Sequence, residues 1–380
     1  MNKNVLIINT KECELAWFEY FKELKQAGFN LQLLASDQKL ISYFQSKNWA
    51  NKIYRPKLKP QVNFISFILF ILLRPLSFIF SLGQILFFKF SKKIGTIVCF
   101  GFYEKLHFSR AAKLLGLKVV WIISPGEQYA FPKIIKRSLA NLSKSATTLC
   151  FSQRCKRILA NKKINIKNIE SIKIGVKSKQ YLEQKNIFDS LAKNNSVSAH
   201  KKFFTIGTIQ ELNGDISHLE KLLHATKKCL EVIPHIQLII AGEGEERKKL
   251  SWMAQKMNIS NLVWFVGNHK HPQKWLRNFD LYISTSPNPK LQNLNTLLLA
   301  SFNSLPIIAP SNAGFDEFII HEQSGLLVDI EASDELADAI ISLQQNQKRR
   351  IQFGKNGQKS VIDNFQLDET IKEMKNILKR

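Results

Sequence analysis

Residues 237–257, QLIIAGEGEERKKLSWMAQKM, contain the features that decide the fold of this chain. The apolar run from Gln237 to Ala241 has the length and composition of a buried strand. A turn with two glycines follows at once, and the apolar side chains of Glu245–Met257 then recur at helical spacing. A buried strand, a short turn and a helix in this order are typical of α/β proteins with a parallel sheet.

The same alternation extends along the rest of the chain. In the second half, strands are predicted at Phe203–Thr208, Leu262–Gly267, Leu281–Ser284 and Pro306–Ala309, and helices at Leu219–Val232, Leu294–Phe302 and Ser333–Gln344. In the first half, strands are predicted at Lys3–Asn9, Leu31–Ala35, Thr96–Phe100, Val119–Ile123, Thr148–Phe151 and Ser171–Ile174, and helices at Glu12–Ala27 and Ser109–Leu115. This pattern predicts two doubly wound sheets, whose ligands bind at the carboxyl ends of the strands.

Composition and charge divide the chain into domains with different tasks. Of 55 basic and 30 acidic residues, 33 basic and 10 acidic ones lie in residues 1–200, so nearly all of the net charge of +25 is there. We expect a basic N-terminal domain (1–188), a polar linker (189–202) and a C-terminal domain (203–364). A final helix (365–380) is expected to pack back on the first domain. The 45% of hydrophobic residues excludes global disorder, and five scattered cysteines argue against a disulfide scaffold or zinc site.

An apolar stretch, Phe64–Phe88, lies inside the basic half and contains one charge, Arg74. Its length would allow a membrane span, but a central Arg-Pro pair is unfavourable there. Three alternatives stay open: amphipathic helices in the membrane interface, ordinary buried helices, or a true span. Basic residues flank the stretch and are predicted, with Arg74, to bind an anionic membrane: Arg55, Lys57, Lys59, Lys89, Lys92 and Lys93.

The turn at Gly242-Glu243-Gly244 is a weak indication of a dinucleotide site. Arg247 stands where the fingerprint has its third glycine, and three glutamates would repel a pyrophosphate. The basic runs of the first half are mixed with apolar residues and resemble no nucleic-acid module. His269 and His271 lie in one loop without an accompanying acid or cysteine cluster, so no metal site is predicted.

Taken together, several segments resemble the donor-binding domain of the family-4 retaining glycosyltransferases. In family order, these are Phe203–Gly214 (FFTIGTIQELNG), Leu238–Glu246 (LIIAGEGEE), Val263–Gly267 (VWFVG), Asp280–Tyr282, Ser284–Ser286, Leu297–Pro306 (LLLASFNSLP) and Gly314–Val328 (GFDEFIIHEQSGLLV). In the first half, Ser171–Tyr181 (SIKIGVKSKQY) resembles the segment that leads into the linker.

The resemblance implies the GT-B fold, with two Rossmann-like domains facing a central cleft. It also implies a nucleotide diphosphate sugar as co-substrate and no cofactor or metal. The positions that match the family's donor site are Gly207, Thr208, Asn213, Gly214, Gly242, Gly244, Asn295, Thr296 and Leu299.

Four positions depart from the family pattern where its chemistry lies. Thr208 and Asn213 stand in place of an Arg and a Lys that hold the donor diphosphate. Leu291 and Leu299 stand in place of two glutamates that border the sugar and the ribose. Charge-assisted hydrogen bonds of this kind are worth about 1.5–3 kcal/mol each. Their joint absence indicates either a changed mode of donor binding or a catalytically inactive relative.

Glu127 follows an apolar strand and is one of two acids between Asp37 and Glu170, the other being Glu104. A lone carboxylate in a basic surround can serve as a general base for the acceptor, although an ordinary solvated acid has the same pattern. We therefore expect a hexosyltransferase at the cytoplasmic face of the cell membrane, peripherally attached, that acts on a glycolipid or oligosaccharide of the cell envelope. The alternative is an inactive relative that binds a glycolipid or a partner glycosyltransferase. No nucleic-acid partner is expected.

Overall fold

The computed structural model describes residues 3–49, 51–53, 74–126, 133–177, 203–267 and 272–379. It confirms the α/β class, with two fully parallel sheets surrounded by helices. The chain divides into two compact units. The N-terminal unit is Met1–Ile172 with Thr370–Arg380, and the C-terminal unit is Lys173–Glu369. The predicted linker at 189–202 lies outside the described residues.

The N-terminal unit has a seven-stranded sheet. Its strands are β1 (Asn4–Asn9), β2 (Asn30–Ala35), β3 (Asn51–Ile53), β4 (Thr96–Cys99), β5 (Lys118–Ile123), β6 (Thr147–Cys150) and β7 (Ile169–Ser171). Its helices are α1 (Ala16–Gln26), α2 (Gln38–Ser46), α3 (Arg74–Lys92), α4 (Phe102–Leu114), α5 (Lys133–Ser143) and α6 (Gln153–Asn161). The strand order is β3-β2-β1-β4-β5-β6-β7. The strands that follow β1 in the chain are added first on one side of it and then, from β4 on, on the other, so the topological switch point lies between β1 and β4.

The C-terminal unit repeats the arrangement with six strands. These are β8 (Phe204–Ile209), β9 (Ile236–Ala241), β10 (Val263–Phe265), β11 (Leu281–Ile283), β12 (Ile307–Pro310) and β13 (Gly325–Val328). The helices are α7 (Ser217–Leu230), α8 (Arg247–Lys256), α9 (Gln273–Leu276), α10 (Leu291–Phe302), α11 (Ser333–Gln345) and α12 (Gln347–Asn364). The last helix, α13 (Leu367–Lys379), begins in this unit and from Thr370 on belongs to the N-terminal unit. The order β10-β9-β8-β11-β12-β13 places the switch point between β8 and β11.

The central strands are buried because helices cover both faces of each sheet. Residues Val5–Asn9 of β1 are all buried, as are Val119–Ile123 of β5. Such strands consist of continuous apolar runs rather than alternating ones. For this reason the sequence located most of them to within one or two residues.

Helix α4 is longer than the sequence predicted, since it begins at Phe102 rather than Ser109. Its first turns contain Glu104, Lys105 and His107, and all three are buried. Polar residues in buried positions remove the alternation of polar and apolar faces by which an amphipathic helix is recognised. The strand predicted at Ser171–Ile174 instead occupies Ile169–Ser171.

Helix α3 contains the second part of the apolar stretch and has two apolar faces. On one face, Phe78, Leu82, Ile85 and Phe88 pack with the core of the N-terminal unit. The opposite face exposes five large apolar side chains, here called the apolar ridge: Leu76, Ile79, Phe80, Phe87 and Phe90. Within the described residues, no helix combines the length and the apolar character needed to cross a bilayer. Residues 54–73, with Arg55, Lys57 and Lys59, lie outside the described part.

Candidate functional site

The predicted donor-binding residues lie on β8 and the loop after it, on the loop after β9, and on α10. Since β8 and β11 are neighbours, these loops meet at the carboxyl edge of the sheet, at its switch point. A buried hydrogen bond crosses this point. Gln210, just after β8, donates from Nε2 to Oγ1 of Thr285, just after β11, over 3.1 Å. Residues after the two central strands are therefore held together.

The loops after β8 and β9 are in direct contact, and Gly242 and Gly244 make this possible. A Cβ atom at Gly242 would lie 1.9 Å from the carbonyl oxygen of Gln210, and one at Gly244 would lie 2.1 Å from that of Leu212. The backbone N–H of Leu212 donates to the Glu243 carbonyl over 3.0 Å. These glycines thus have a packing role, and their predicted contact with the donor stays a prediction.

Asn213 is part of the same contact between loops. Its Oδ1 accepts a hydrogen bond from the backbone N–H of Glu245 over 3.0 Å. The side chain that stands in place of the family's lysine therefore joins the two loops. Gly214, the next residue, has a left-handed backbone with φ of 76°, which favours glycine.

Three other positions that depart from the family pattern are buried. Thr208 is 1% exposed, Leu291 is 0% exposed and Leu299 is 7% exposed. Gly207, beside Thr208, faces the Phe279 ring so closely that a Cβ atom there would lie 2.2 Å from it. The structure thus places apolar packing where the family has charged side chains.

Helix α10 begins at the carboxyl edge of the sheet. The backbone N–H of Lys290, its N-cap residue, donates to Oδ1 of Asn293 over 3.0 Å. Thr296 is buried, and its hydroxyl donates to the Gln292 carbonyl over 2.9 Å. Oδ1 of Asn295 is buried and has no hydrogen-bond partner in the described structure.

Lys290 is a site residue that sequence reasoning missed. Its Nζ lies 3.1 Å from Oε2 of Glu211, in the loop after β8, so an ion pair links α10 to that loop. Both side chains are more than half exposed. Its position in the sequence could have identified it, because it directly precedes Leu291, which stands in place of the first of the family's two glutamates.

The N-terminal unit has its own junction at the switch point between β1 and β4. Glu104, in the first turn of α4, is fully buried. Its Oε1 accepts hydrogen bonds from the backbone N–H and the hydroxyl of Thr10, after β1, over 2.5 and 2.7 Å. Its Oε2 is buried without a partner, and a Cβ atom at Gly101 would lie 2.1 Å from it. Glu127, the predicted catalytic residue, lies outside the described residues.

The described residues contain no metal-binding cluster, and two of their buried cysteines have raised pKa values, whereas a hydrogen bond with Cys155 lowers the pKa of the Cys150 thiol. Among the described residues, no three His, Cys, Asp or Glu side chains form a group that could hold a metal ion. His269 and His271 fall outside them. Burial raises the pKa of the Cys229 thiol to about 12 and also raises that of Cys99, so these two side chains stay protonated and unreactive near neutral pH. Metal independence stays a prediction.

Sequence comparisons relate this chain to glycosyltransferases. Residues 189–360 match the family model described as "Glycosyl transferases group 1". The poly(ribitol-phosphate) alpha-N-acetylglucosaminyltransferase of Staphylococcus aureus (strain COL) is 26% identical over 143 residues, which cover 37% of this chain and 29% of that protein. The lipopolysaccharide core biosynthesis glycosyltransferase LpsE of Rhizobium meliloti (strain 1021) is 24% identical over 145 residues, covering 38% and 42%. The chain thus matches less than half the length of these curated relatives.

Solved structures extend the similarity to the whole fold. Anabaena Alr3699/HepE, in complex with UDP and glucose, has a TM-score of 0.76 at 16% identity, covering 99% of each chain. A glycosyltransferase from Rickettsia africae ESF-5 has a TM-score of 0.78 at 16% identity, covering 99% of this chain and 98% of that one. At such identities the likeness is one of fold, and it confirms the GT-B fold expected from the sequence.

Proposed function

We propose that this chain, which combines a GT-B fold with a glycosyl transferases group 1 match over residues 189–360, is a retaining hexosyltransferase of family 4. Its donor is a nucleotide diphosphate sugar, and its acceptor is a lipid-linked or other glycan of the cell envelope. The observation that carries the proposal is the switch point between β8 and β11, where the matched segments come together. The names of two relatives, which give poly(ribitol-phosphate) and the lipopolysaccharide core, support the acceptor class.

The proposed reaction exchanges one bond at the anomeric carbon for another. An acceptor hydroxyl oxygen forms a bond to that carbon while the bond to the diphosphate oxygen breaks. The nucleoside diphosphate leaves with the electron pair, and the hydroxyl proton passes to a base. Helix N-termini at the carboxyl edge of the sheet attract the negative charge of the leaving group, because their free N–H groups point toward it.

A binding screen of the full-length chain tests the donor class. We expect isothermal titration calorimetry to detect at least one of UDP, GDP and ADP, or their sugars, at micromolar to millimolar concentration. Failure of all of them would overturn the enzyme proposal. It would favour the alternative of a non-catalytic relative that binds a glycolipid or a partner glycosyltransferase, which the buried Thr208, Leu291 and Leu299 support.

Glu127 is the predicted acceptor-side base. Glu127→Gln should lower kcat by about 10²–10⁴-fold, because general base catalysis contributes that range. The affinity for the donor should stay unchanged, because the predicted role is on the acceptor side. Transfer from a radiolabelled sugar nucleotide measures kcat, and calorimetry measures donor affinity. An unchanged kcat would remove Glu127 from the mechanism.

We also propose that the N-terminal unit docks on the cytoplasmic face of an anionic membrane through the apolar ridge of α3. Lys92 lies in the last turn of this helix and Lys93 follows it, whereas Lys89 of the same turn donates from Nζ to the Leu115 carbonyl over 2.7 Å. Apolar side chains near lysines fit an interface of acyl chains and anionic headgroups. Arg74 begins the helix, and Arg55, Lys57 and Lys59 stay predicted contacts.

Vesicle flotation tests the membrane proposal. The triple variant Phe80→Ser, Phe87→Ser and Phe90→Ser should lose at least about 30-fold in binding to phosphatidylglycerol vesicles, because each ring buries apolar area. Lys92→Gln with Lys93→Gln should lose about 30-fold, at roughly 1 kcal/mol per charge. Ile351→Ser with Ile362→Ser, two exposed apolar positions of α12, is the matched control and should bind normally. Wild-type binding that ignores lipid charge and salt would contradict electrostatic docking.

A further inference from the structure

We infer that Lys290 binds the diphosphate of the donor. When no donor is bound, the ammonium of Lys290 forms an ion pair with the carboxylate of Glu211 instead. The inference rests on the proposed function and deepens it. Thr208 and Asn213 are uncharged and stand where the family has an arginine and a lysine. The inference is that Lys290 supplies a positive charge in their place.

The ion pair lies where a donor has to bind. Glu211 is in the loop after β8, and Lys290 is the N-cap residue of α10, which follows β11. Because β8 and β11 flank the switch point, the pair spans the position at which ligands bind in such sheets. The Nζ–Oε2 distance is 3.1 Å, and the two side chains are 57% and 61% exposed. Solvent, and therefore a ligand, can reach both partners.

The described loops at this edge contain two basic side chains. Within residues 210–214, 242–247 and 284–290, all of which the structure describes, the basic side chains are Arg247 and Lys290. Arg247 contacts Oε1 of Glu243 at 2.5 Å and donates from Nη2 to the Phe265 carbonyl over 3.0 Å. Its guanidinium is thus engaged by the loop after β9 and by the last residue of β10. Lys290 has one exposed carboxylate as its partner, and a diphosphate can displace it.

The start of α10 is suited to an anion for a second reason. The side chain of Lys290 has no hydrogen-bond acceptor, so it cannot cap the N–H groups of the first turn as Ser or Asp would. A twelve-residue helix presents those groups and the positive end of its dipole to the same region as the ammonium. The carboxylate of Glu211 already contacts the ammonium of Lys290, so this side chain accepts a negative group as its partner.

The arrangement predicts opposite effects for the two partners. Lys290→Met removes a charge-assisted contact, so the Kd for the nucleoside diphosphate should rise about 10–100-fold. Glu211→Gln removes the competing carboxylate, so the Kd should fall about 2–5-fold, the weight of an exposed ion pair. Lys290→Arg keeps the charge and should stay within about 5-fold of wild type.

The experiment is calorimetric titration of the full-length variants with whichever of UDP, GDP and ADP binds the wild type, at 50 and 300 mM salt. The matched control is Lys228→Met, which breaks the exposed Lys228–Asp334 pair in the last turn of α7, at the opposite end of that helix from the loops. It should leave the Kd unchanged. Circular dichroism melting checks that each variant is folded.

The outcomes separate this inference from the proposed function. If the wild type binds a nucleotide and Lys290→Met binds it equally well, the inference is overturned while the proposed function stands. If Glu211→Gln weakens binding, Glu211 is a ligand contact rather than a competitor, and that part is overturned. If no nucleoside diphosphate binds the wild type, the proposed function and the inference both fail.

Discussion

Gly242→Ala should destabilise the C-terminal unit by about 3 kcal/mol, the upper end of the range for overpacking a closed site. The new Cβ atom would lie 1.9 Å from the carbonyl oxygen of Gln210, and that oxygen belongs to the backbone. Hydrogen bonds on both sides of the contact hold the two loops together, including those of Leu212 with Glu243 and of Asn213 with Glu245. Relief of the overlap would therefore require both loops to move.

Hydrogen exchange followed by mass spectrometry measures this effect unit by unit. Protection of β8 and β9 should fall in Gly242→Ala, while that of β1 and β4 should not change. Gly83→Ala is the matched control, because it also adds one methyl group but finds no atom within 4 Å. Gly83 lies inside α3, so alanine there should stabilise the helix by about 0.5–1 kcal/mol. Equal protection of β8 in wild type and Gly242→Ala would contradict the packing role of Gly242.

Glu104→Ala should also have a large effect, a loss of about 2–4 kcal/mol from the stability of the N-terminal unit. The substitution leaves the N–H and hydroxyl of Thr10 without their shared acceptor, and each such loss costs about 1–3 kcal/mol where water cannot replace it. It also leaves a cavity, since Glu104 is fully buried. The loop after β1 should then become mobile, and transfer activity should fall with it.

Thr10→Ala provides the graded comparison for this prediction. It removes the hydroxyl donor and keeps the backbone one, so a loss of about 1 kcal/mol is expected. Urea unfolding by circular dichroism gives the total change, and hydrogen exchange at residues 9–12 gives the local one. A loss below 1 kcal/mol in Glu104→Ala would mean that the hydrogen bonds to Thr10 contribute little to stability.

The sequence predicted the architecture well because the central strands are buried on both faces. Runs such as Val5–Ile8 and Leu238–Ala241 are apolar throughout, and a run of this length bounded by turns is a strong indication of a strand. Helix α4 was predicted too short, because Glu104 and Lys105 are polar and yet buried. No local pattern distinguishes a buried polar residue from an exposed one.

The candidate site could be predicted only in outline. Resemblance located the loops, but the two junctions that hold them depend on contacts between distant residues. Glu104 meets Thr10 across 94 positions, and Lys290 meets Glu211 across 79. Glu104 and Glu127 are both rare acids of this half, and the sequence favours Glu127 as the base because burial and hydrogen-bond partners are not visible in a single sequence. The retaining mechanism, the family-4 assignment and the role of Glu127 stay predictions.

The N-terminal unit is built from two segments that lie far apart in the chain, and this affects how it folds during synthesis. This unit includes Thr370–Arg380, and in this segment Met374 and Ile377 are buried while Lys118 donates from Nζ to the Ile377 carbonyl. A ribosome makes the whole C-terminal unit before it makes this segment. Domains generally fold as units during synthesis, N-terminal first. Here the N-terminal unit cannot complete its fold until Thr370–Arg380 has been made, so its completion has to wait for the synthesis of the whole C-terminal unit.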